Sequence, residues 1–486
     1  MRRSPRSFAV TAAALLVGAT ATFARQPYAR VVGGPGVPNA SAFSASAAID
    51  SGVVALGAPI DDVNGRSSGS VRLFDAVTGA ELDTVSAADG DAGDLFGWSV
   101  DLRGGTLAVG ADGDEGPETL AGSAYRFDLA NLAGSTRLTA SDGRQLAIFG
   151  YDVAVDPAAG LTLVSAPGGG PVGQGAVYVF DTQTGQEQRQ LLPDAGGQTD
   201  RAFGNAIAIG DGIAAIGSPR ESPSVANGPG PSVYLFDPQT GSRIDRLTPP
   251  NDDVAAEFGT SVDLDDGVLI VGAPFARVPE LNNAPAGSAW LYDTASGRYF
   301  ATLTPDEAPQ GFGISSPLFG QSVAISGGMA LVGAPLLPGD RFREGAAYLF
   351  DVATGQRLDR LAPNAASDNY FGFAVAMDGG VAVVAAKQPG AETAYLYDAT
   401  YTNPLEGDYN LDGVVDAADY TVWRDAQGRP SVVINADGDQ RVDAEDYTAW
   451  AAGFGAALPP LATVPEPVAA VLLALGCGLL ARRSRR

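Results

Sequence analysis

Histidine is absent from this chain of 486 residues, and cysteine and lysine occur once each, as Cys477 and Lys387. Without histidine, a Ser-His-Asp triad, an imidazole general base and a His-ligated zinc or haem are excluded. One cysteine excludes an intramolecular disulfide and a cysteine metal cluster. One lysine leaves little room for Schiff-base or Walker-type lysine chemistry. Any catalysis must therefore depend on carboxylates, either alone or with a hard metal ion.

Basic residues are also scarce, with 30 Lys plus Arg against 56 Asp plus Glu and a net charge of −26. This balance argues against nucleic acid as a partner, because such binding depends on basic side chains that neutralise phosphates. It suits an acidic, soluble, secreted protein or one with many calcium ligands. The 63 Gly and 33 Pro predict many short elements joined by tight turns.

The N-terminus has the features of an export signal. Three arginines precede the apolar run Phe8–Val17, and a small-residue cleavage site follows, at Ala19-Thr20-Ala21 or Thr22-Phe23-Ala24. This order predicts a secretory signal peptide over residues 1–24. The alternative is a buried first helix.

The C-terminus reads Pro465-Glu466-Pro467, then the apolar stretch Val468–Ala481, then four arginines among the last five residues. A helix over that stretch is about 21 Å long, short against a hydrocarbon core of about 30 Å, and the arginines would hold its end in the cytoplasm. The segment 464–486 resembles the PEP-CTERM sorting signal of Gram-negative bacteria. That resemblance implies an exosortase as processing partner, a transient membrane anchor with a short transmembrane helix, and final placement at the cell surface or in the extracellular matrix. The alternative is an ordinary C-terminal anchor.

A repeat of 52 to 61 residues fills the middle of the chain. Each copy of the repeat begins with a Phe-Gly pair, and in the degenerate first copy the pair is Phe43-Ser44. The pairs start at Phe96, Phe149, Phe203, Phe258, Phe319 and Phe371. About a dozen residues later comes Gly-Ala-Pro or a relative, as at Gly57, Gly272 and Gly333. An aromatic-Asp pair then ends a strand, with Asp75, Asp128, Asp181, Asp237, Asp293, Asp351 and Asp398 as its acidic residues.

Each copy contains short runs of alternating apolar residues bounded by Gly, Asp and Asn, which predict antiparallel strands joined by tight hairpins. Four strands in each of seven copies predict an all-β fold, a seven-bladed β-propeller over residues 28–402. No stretch keeps a helical apolar period, so a helical solenoid is excluded. A linear β-solenoid is the structural alternative.

The Phe-Gly and Gly-Ala-Pro signatures resemble the FG-GAP repeat of the integrin α-subunit propeller and its bacterial secreted relatives. In this interpretation the Phe side chains pack between neighbouring blades and the glycines allow close backbone approach. The seventh copy lacks its fourth strand, and an open ring would leave exposed edges. We therefore predict that residues near Tyr28–Val32 supply the outer strand of the last blade.

The first hairpins of the blades are short turns, such as Asp50-Ser51-Gly52 and Gly104-Gly105, without the acidic loops that bind calcium in integrins. We predict no integrin-type calcium site there. The loops after Gly-Ala-Pro and before Phe-Gly open on one face in this family's topology. They carry charged residues that we expect to be mostly solvated: Asp61, Asp62, Asp112, Asp114, Arg220, Arg277, Arg341 and Arg343.

Two acidic loops follow the propeller. Oxygen side chains occupy positions 1, 3, 5, 9 and 12 of a calcium loop, with Gly413 at position 6 of the first copy; position 7 would offer its backbone carbonyl. The candidate ligands for two calcium ions are Asp408, Asn410, Asp412, Val414, Asp416 and Asp419 in the first loop, and Asn435, Asp437, Asp439, Arg441, Asp443 and Asp446 in the second. The alternative is a pair of solvated acidic loops.

An aromatic helix start follows each loop, and the pair resembles a type I dockerin over residues 405–455, a small α-helical calcium-binding module. A linker over 456–463 would lead to the sorting signal. The resemblance implies a cohesin-like surface partner. Gln440 replaces the second loop's glycine, and Ala417-Ala418 and Ala444-Glu445 replace the Ser/Thr pair that many dockerins use for recognition. Calcium binding is therefore a firmer prediction than a cohesin partner, and we expect the module to need calcium for folding.

Three functions remain open. The first is a secreted, cell-surface or exopolysaccharide-associated binding or adhesion protein, with a polysaccharide or protein ligand on the propeller loop face. The second is a carbohydrate-active enzyme of the O-glycosyl hydrolase type, which needs only two carboxylates. Against it, no blade carries a distinct acidic pair with flanking aromatics, and the propeller has only Trp98 and Trp290. The third is a structural component of the surface or biofilm matrix. The sequence favours a protein without catalytic residues.

Overall fold

The computed structural model describes residues 27–32, 46–114, 121–193, 202–220, 230–251, 253, 256–306, 316–337, 344–363, 370–386, 393–401, 403, 405–436, 439 and 441–458. The predicted signal peptide, residues 459–463 of the predicted linker and the predicted sorting signal lie outside these residues. The chain divides into two compact units, Met1–Tyr401 with Pro430–Val432, and Thr402–Arg429 with Val433–Arg486.

Seven antiparallel sheets of four strands make up the first unit, and six of them are formed by consecutive strands. Blade 1 contains β2–β5 (Ala47–Asp50, Val53–Ala58, Ser70–Asp75, Glu81–Val85), and blade 2 contains β6–β9 (Val100–Arg103, Thr106–Ala111, Ser123–Asp128, Asn131–Leu138). Blade 3 contains β10–β13 (Val153–Asp156, Leu161–Ala166, Ala176–Asp181, Glu187–Leu191), and blade 4 contains β14–β17 (Ile207–Gly210, Ile213–Ser218, Ser232–Phe236, Arg243–Leu247). Blade 5 contains β18–β21 (Ser261–Asp265, Val268–Ala273, Ser288–Asp293, Arg298–Leu303), and blade 6 contains β22–β25 (Val323–Ser326, Met329–Ala334, Ala346–Asp351, Arg357–Leu361).

Blade 7 combines the two ends of the propeller. It contains β26–β28 (Val375–Asp378, Val381–Ala386, Thr393–Asp398), and β1 (Ala29–Val32) lies beside β28 as its outer strand. The register pairs Ala29 with Leu396 and Val32 with Thr393. The predicted closure by residues near Tyr28–Val32 is therefore confirmed. An N-terminal strand that completes the last sheet removes two free edges at once.

The innermost strands contact one another in a closed ring, because β2 contacts both β6 and β26, and each of the other first strands contacts the first strand of the next blade. The predicted seven-bladed, all-β propeller is confirmed. Seven buried clusters fill the spaces between neighbouring blades.

The Phe of each Phe-Gly pair lies fully buried between two blades. Phe96, for example, shares one cluster with Val71 of blade 1 and Val109 of blade 2. Each of the six Phe rings contacts the aromatic residue in the middle of the third strand of its blade, with centroids 5.3 to 5.5 Å apart. A buried Phe contributes about 1.5–3 kcal/mol, so the repeat carries much of the stability of the ring.

The glycine of Gly-Ala-Pro is required because the next blade comes very close. A Cβ added to Gly333 would lie 2.1 Å from the carbonyl oxygen of Gly372, which belongs to the next Phe-Gly pair. Gly57, Gly110, Gly217 and Gly272 have the same relation to the following blade, at 1.9 to 2.1 Å. The two signature motifs of the repeat therefore meet at the interface between blades and are structural.

Six of the first hairpins are two-residue turns. Their first residues have φ between 45° and 56°, and their second residues, all glycine, have φ between 74° and 81°. Both values are positive, as in type I′ turns, whose twist matches that of the strands. The turns are Ser51-Gly52, Gly104-Gly105, Asp211-Gly212, Asp266-Gly267, Gly327-Gly328 and Gly379-Gly380. The predicted short turns are confirmed; the expectation that they bind no calcium stays a prediction.

The Asp after the aromatic residue closes the turn between the third and fourth strands. The Asp75 carboxylate accepts hydrogen bonds from the Thr78 N–H and hydroxyl, both at 2.7 Å. The same pattern joins Asp181 to Thr184 and Asp237 to Thr240. These hydrogen bonds lower the pKa of Asp75, Asp181 and Asp237. The aromatic-Asp signature is thus a turn signal.

The described part of the second unit contains two helices, α1 (Ala417–Ala426) and α2 (Ala444–Gly453). The chain continues past Gly455 within this unit, because the Leu458 N–H donates to the carbonyl oxygen of Gly413 and Val414 bridges to Ala457. Neither helix in the described part of the chain has the length and the apolar run that a bilayer crossing needs. The predicted transmembrane helix lies outside the described residues.

Candidate functional site

The backbone of the first acidic loop turns tightly around the side chain of Asp408. The Asp408 carboxylate at position 1 accepts hydrogen bonds from the backbone N–H groups of Asp412 (3.1 Å) and Gly413 (2.8 Å). Gly413 has φ of +90°, which allows the sharp turn at position 6. Burial, and secondarily the charge of Asp419, raises the pKa of Asp408. A cation in the loop would relieve this repulsion.

The end of the first loop is also the start of α1. Asp416 is the N-cap and accepts from the Ala418 N–H, while Asp419 accepts from the Asp416 N–H and completes a capping box. Asp419 is fully buried and also accepts from the N–H groups of Tyr409 (2.8 Å) and Asn410 (2.9 Å). The residue predicted as the position-12 ligand therefore ties both ends of the loop together.

The second loop repeats this arrangement at α2. Asp443 is the N-cap, and the fully buried Asp446 accepts from the N–H groups of Asp443 (3.0 Å) and Ala436 (2.8 Å). Asp439 accepts from the Arg441 N–H at 2.7 Å. Asp437 lies outside the described residues, together with Gly438 and Gln440. The described part of the second loop is thus a structural copy of the first.

The two copies are joined by a reciprocal pair of hydrogen bonds. The Trp423 indole N–H in α1 donates to the Asp443 carbonyl oxygen at 2.6 Å, and the Trp450 indole N–H in α2 donates to the Asp416 carbonyl oxygen at 2.8 Å. Each acceptor is the N-cap residue of the opposite helix. The aromatic residues predicted at each helix start therefore couple the two loops.

The two loops contain oxygen donors of the kind that calcium binds, but among the described residues these oxygens do not surround one common position. Their side chains are mostly carboxylate and amide oxygens, which hard cations prefer. Within the described residues, no three acidic side chains surround a common point as metal ligands do. In the first loop, the oxygens of Asp408 and Asp419 accept from backbone N–H groups instead. Ion binding would require the carboxylates to turn inward.

The propeller has a cavity of 610 Å3 on the ring axis, lined by the innermost strands of all seven blades and by residues directly before them. Five carboxylates on its wall accept hydrogen bonds from the next blade. Two of them accept from turn residues, Asp265 from the Gly327 N–H (2.9 Å) and Asp378 from the Ser51 N–H (3.2 Å), and three accept from strand residues. Asp101 accepts from the Val155 N–H (2.7 Å), Asp152 from the Ile207 N–H (2.8 Å) and Asp263 from the Ile325 N–H (2.8 Å). Burial raises the pKa of Asp152 and of Asp263 to about 7.

Several charged loop residues that we expected to be solvated are buried. Asp61 accepts from Ser70 Oγ (2.7 Å) and pairs with Arg72 Nη2 (3.3 Å), and Asp114 pairs with Arg137 Nη2 (2.7 Å). Because unpaired charge is costly inside a protein, the chain pairs these carboxylates with arginines from the strands. For Asp61 and Asp114 the expectation of solvation is wrong, because both have a structural role.

The remaining loop residues differ among themselves. Asp112 is buried, so the expectation of solvation is wrong for it as well, and its Oδ1 atom has no hydrogen-bond partner among the described residues. Burial raises its pKa to about 7. Asp62, Arg220 and Arg277 are exposed as expected. Arg341 and Arg343 lie outside the described residues.

Comparison with known protein families agrees with this geometry. The family model described as FG-GAP repeat matches residues 80–127, 135–180 and 313–350. The chain contains FG-GAP repeats. A comparison with curated proteins gave no match. An FG-GAP propeller suggests a surface protein of the binding or adhesion type.

Sequence reasoning missed the lining of the axial cavity. The residue after each Phe-Gly pair is part of it in all six described copies: Trp98, Tyr151, Asn205, Thr260, Gln321 and Phe373. A signal for them exists in the sequence, since this position varies strongly between copies while its neighbours repeat. Variation at one position of a repeated scaffold is typical of a surface that is free to bind.

Proposed function

We propose that the protein is an exported binding protein of the cell surface or extracellular matrix, and that its FG-GAP propeller presents the ligand-binding face. One observation carries this proposal: the repeated motif residues all serve to hold the blades together around an open axial cavity. Phe-Gly, Gly-Ala-Pro and aromatic-Asp are used in packing and turns. The wall carboxylates Asp101, Asp152 and Asp263 are engaged by backbone N–H groups, which favours binding over catalysis.

In this proposal the C-terminal unit is a dockerin-like module that attaches the protein to a cohesin-like surface partner. Calcium would be held by the oxygen atoms named above, from Asp408 to Asp419 and from Asn435 to Asp446. The capping boxes at Asp416 and Asp443 and the reciprocal Trp hydrogen bonds support the proposal, because they make the two loops one paired structure.

Export and sorting complete the proposal. The signal peptide over residues 1–24 would send the chain across the inner membrane, and the segment 464–486 would be read by an exosortase. Mass spectrometry of the protein recovered from a Gram-negative host with an exosortase tests this. We expect a new N-terminus after Ala21 or Ala24 and loss of the terminal arginines. Recovery of the intact chain from the cytoplasm would contradict it.

The binding function is tested with the purified protein and extracellular matrix from such a host. We expect the protein to sediment with the matrix and to release no reducing sugar ends. Turnover that one carboxylate substitution abolishes would favour a carbohydrate-active enzyme instead. Failure to bind any matrix or surface material would overturn the binding function itself.

A further inference from the structure

Six residues form a ring at the axial cavity, which we call the mouth ring: Trp98, Tyr151, Asn205, Thr260, Gln321 and Phe373. Each directly follows the glycine of a Phe-Gly pair, where the chain enters the innermost strand of its blade. Because the seven innermost strands close a ring, residues about 50 positions apart in sequence come together around one opening. Ala45 of blade 1 lies outside the described residues.

The mouth ring has two chemically different halves. Phe373, Trp98 and Tyr151 come from blades 7, 2 and 3, while Asn205, Thr260 and Gln321 come from the consecutive blades 4, 5 and 6. The Trp98 side is extended by Pro59 and Ile60, which also line the cavity. One half is therefore an aromatic and apolar surface, and the other carries amide and hydroxyl groups.

Trp98 is the exposed member of the aromatic half, whereas Tyr151 and Phe373 are half-buried. Trp98 is 38% exposed, which is high for a Trp in a propeller whose Trp290 is buried. Its ring centroid lies 6.3 Å from that of Tyr151, with the planes inclined by 47°. The two inclined rings form a corner at the cavity, with Trp98 as its exposed side. An exposed aromatic corner beside polar groups is typical of a ligand site.

Several polar side chains of the mouth ring are available for hydrogen bonds to a ligand. In the described part of the chain, the Trp98 indole N–H, the Tyr151 hydroxyl and the Gln321 side-chain amide have no protein hydrogen-bond partner. The Asn205 amide donates to the Thr260 carbonyl oxygen at 3.1 Å, which fixes its orientation. Together the ring offers donors and acceptors over an area that faces the aromatic corner.

We propose that the mouth ring binds a neutral saccharide. The C–H face of a sugar ring would pack on Trp98 and Tyr151, and its hydroxyls would bond the Gln321 amide. Asn205 Oδ1 and the Thr260 hydroxyl oxygen would serve as acceptors, since the Thr260 hydroxyl hydrogen is donated to the Glu257 carbonyl oxygen (2.7 Å). Among the described residues that line the cavity, six are acidic (Asp50, Asp101, Asp152, Asp263, Asp265 and Asp378) and Arg103 is the one basic residue, so the excess of acidic groups favours a neutral sugar over a uronic acid. A cavity of 610 Å3 accommodates one end of a chain. This inference rests on the proposed binding function and names its ligand class.

Affinity electrophoresis of the purified protein tests the inference, in gels that contain mixed-linkage β-glucan, galactomannan, xylan, dextran or polygalacturonate. We expect retardation by at least one neutral polymer and none by polygalacturonate. Trp98→Ala should weaken the binding at least tenfold, and Gln321→Ala should weaken it to a smaller degree. Tyr299→Ala, which removes a 48% exposed aromatic from the outer strand of blade 5, is the matched control and should bind like the wild type.

Three results would overturn the inference: no retardation by any neutral polymer, a preference for polygalacturonate, or equal binding by Trp98→Ala and the wild type. A parallel assay separates this failure from failure of the proposed function. Periodate destroys sugars that have vicinal diols, and composition analysis of the oxidised matrix shows whether any sugar residue survives. If the protein binds oxidised matrix in which no intact sugar remains, the binding function stands and the saccharide inference fails. If it binds neither treated nor untreated matrix, the binding function fails as well.

Discussion

The Asp152 carboxylate of blade 3 accepts a hydrogen bond of 2.8 Å from the Ile207 N–H of blade 4. The link crosses from the start of one innermost strand to the next, inside the axial cavity. Asp101 and Asp263 make equivalent links from blades 2 and 5. A carboxylate in this position holds two blades together, but it must give up much of its hydration to do so.

This cost predicts a propeller that is more stable in mild acid. Burial raises the pKa of Asp152 and Asp263 to about 7, above the value in the unfolded chain, so between about pH 4 and 7 the folded state binds more protons than the unfolded state. The free energy of unfolding should therefore rise as the pH falls from 8 to 5. After allowance for water in the cavity, we expect a gain on the order of 1 kcal/mol for each group.

Urea denaturation with a chelator at pH 8 and pH 5 measures this gain. Asp152→Asn keeps an acceptor for the Ile207 N–H but cannot ionise, so its stability should change less between the two pH values. Asp75→Asn is the control, because the pKa of that turn carboxylate is lowered and it titrates only in stronger acid. A wild type that is less stable at pH 5 than at pH 8 would show that these carboxylates are not desolvated in solution.

Much of the propeller could be predicted because its constraints are local and repeated. The spacing of Phe-Gly, the Gly-Gly or Asp-Gly hairpins and the aromatic-Asp turns each reflect contacts that recur in every blade. Even the closing strand near Tyr28 could be inferred, because a missing strand leaves an edge that must be filled.

The axial cavity could not be predicted in the same way. Trp98 and Gln321 come together only because seven blades close a ring. Variation between copies marks the position that follows Phe-Gly, but it does not show that this position faces the axis. The burial of the loop carboxylates Asp61 and Asp114 could not be predicted either. Their partners Arg72 and Arg137 lie on strands, and the sequence does not show towards which loop these arginine side chains point. The spacing of Asp and Asn residues predicts the two acidic loops, but it does not show whether the side-chain oxygens point towards one common position.

Gly333→Ala should destabilise the propeller by about 3 kcal/mol or more. The new Cβ would lie 2.1 Å from the Gly372 carbonyl oxygen, so blades 6 and 7 would have to separate. The matched control is Gly134→Ala in β9, where the nearest atom would be 3.8 Å away, and its effect should stay within about 0.5 kcal/mol. Chemical denaturation measures both. Equal effects of the two substitutions would mean that the blades do not approach each other this closely.

Val31→Asp should open the ring. Val31 is almost fully buried in the cluster between blades 7 and 1, and burying an unpaired carboxylate there costs several kcal/mol. Release of β1 would expose the edge of β28, so we expect a lower melting temperature and concentration-dependent association by size-exclusion chromatography. Arg30→Gln, at an exposed position of the same strand, changes the hydrogen bond to Thr393 and the contact with the Tyr395 ring without burying a charge, so it should melt much closer to the wild type than Val31→Asp. If both variants stay monomeric and equally stable, β1 does not close the ring in solution.

Calcium should stabilise both acidic loops together, because each helix is bound to the other loop through Trp423 and Trp450. Isothermal titration of the full chain should detect two ions. Asp412→Ala, which alters an exposed candidate ligand, should remove one site and weaken the other. The control Asp425→Ala removes an exposed carboxylate of α1 that pairs with Arg424 and should bind calcium like the wild type. A ligand at 100 times its Kd stabilises a fold by about 2.7 kcal/mol. Because calcium would stabilise the folded loops and the helices that begin in them, the helical circular dichroism signal should rise during the titration. Calcium uptake that Asp412→Ala leaves unchanged would place the ions elsewhere, and a wild type without uptake would leave the capping boxes as the sole role of these carboxylates.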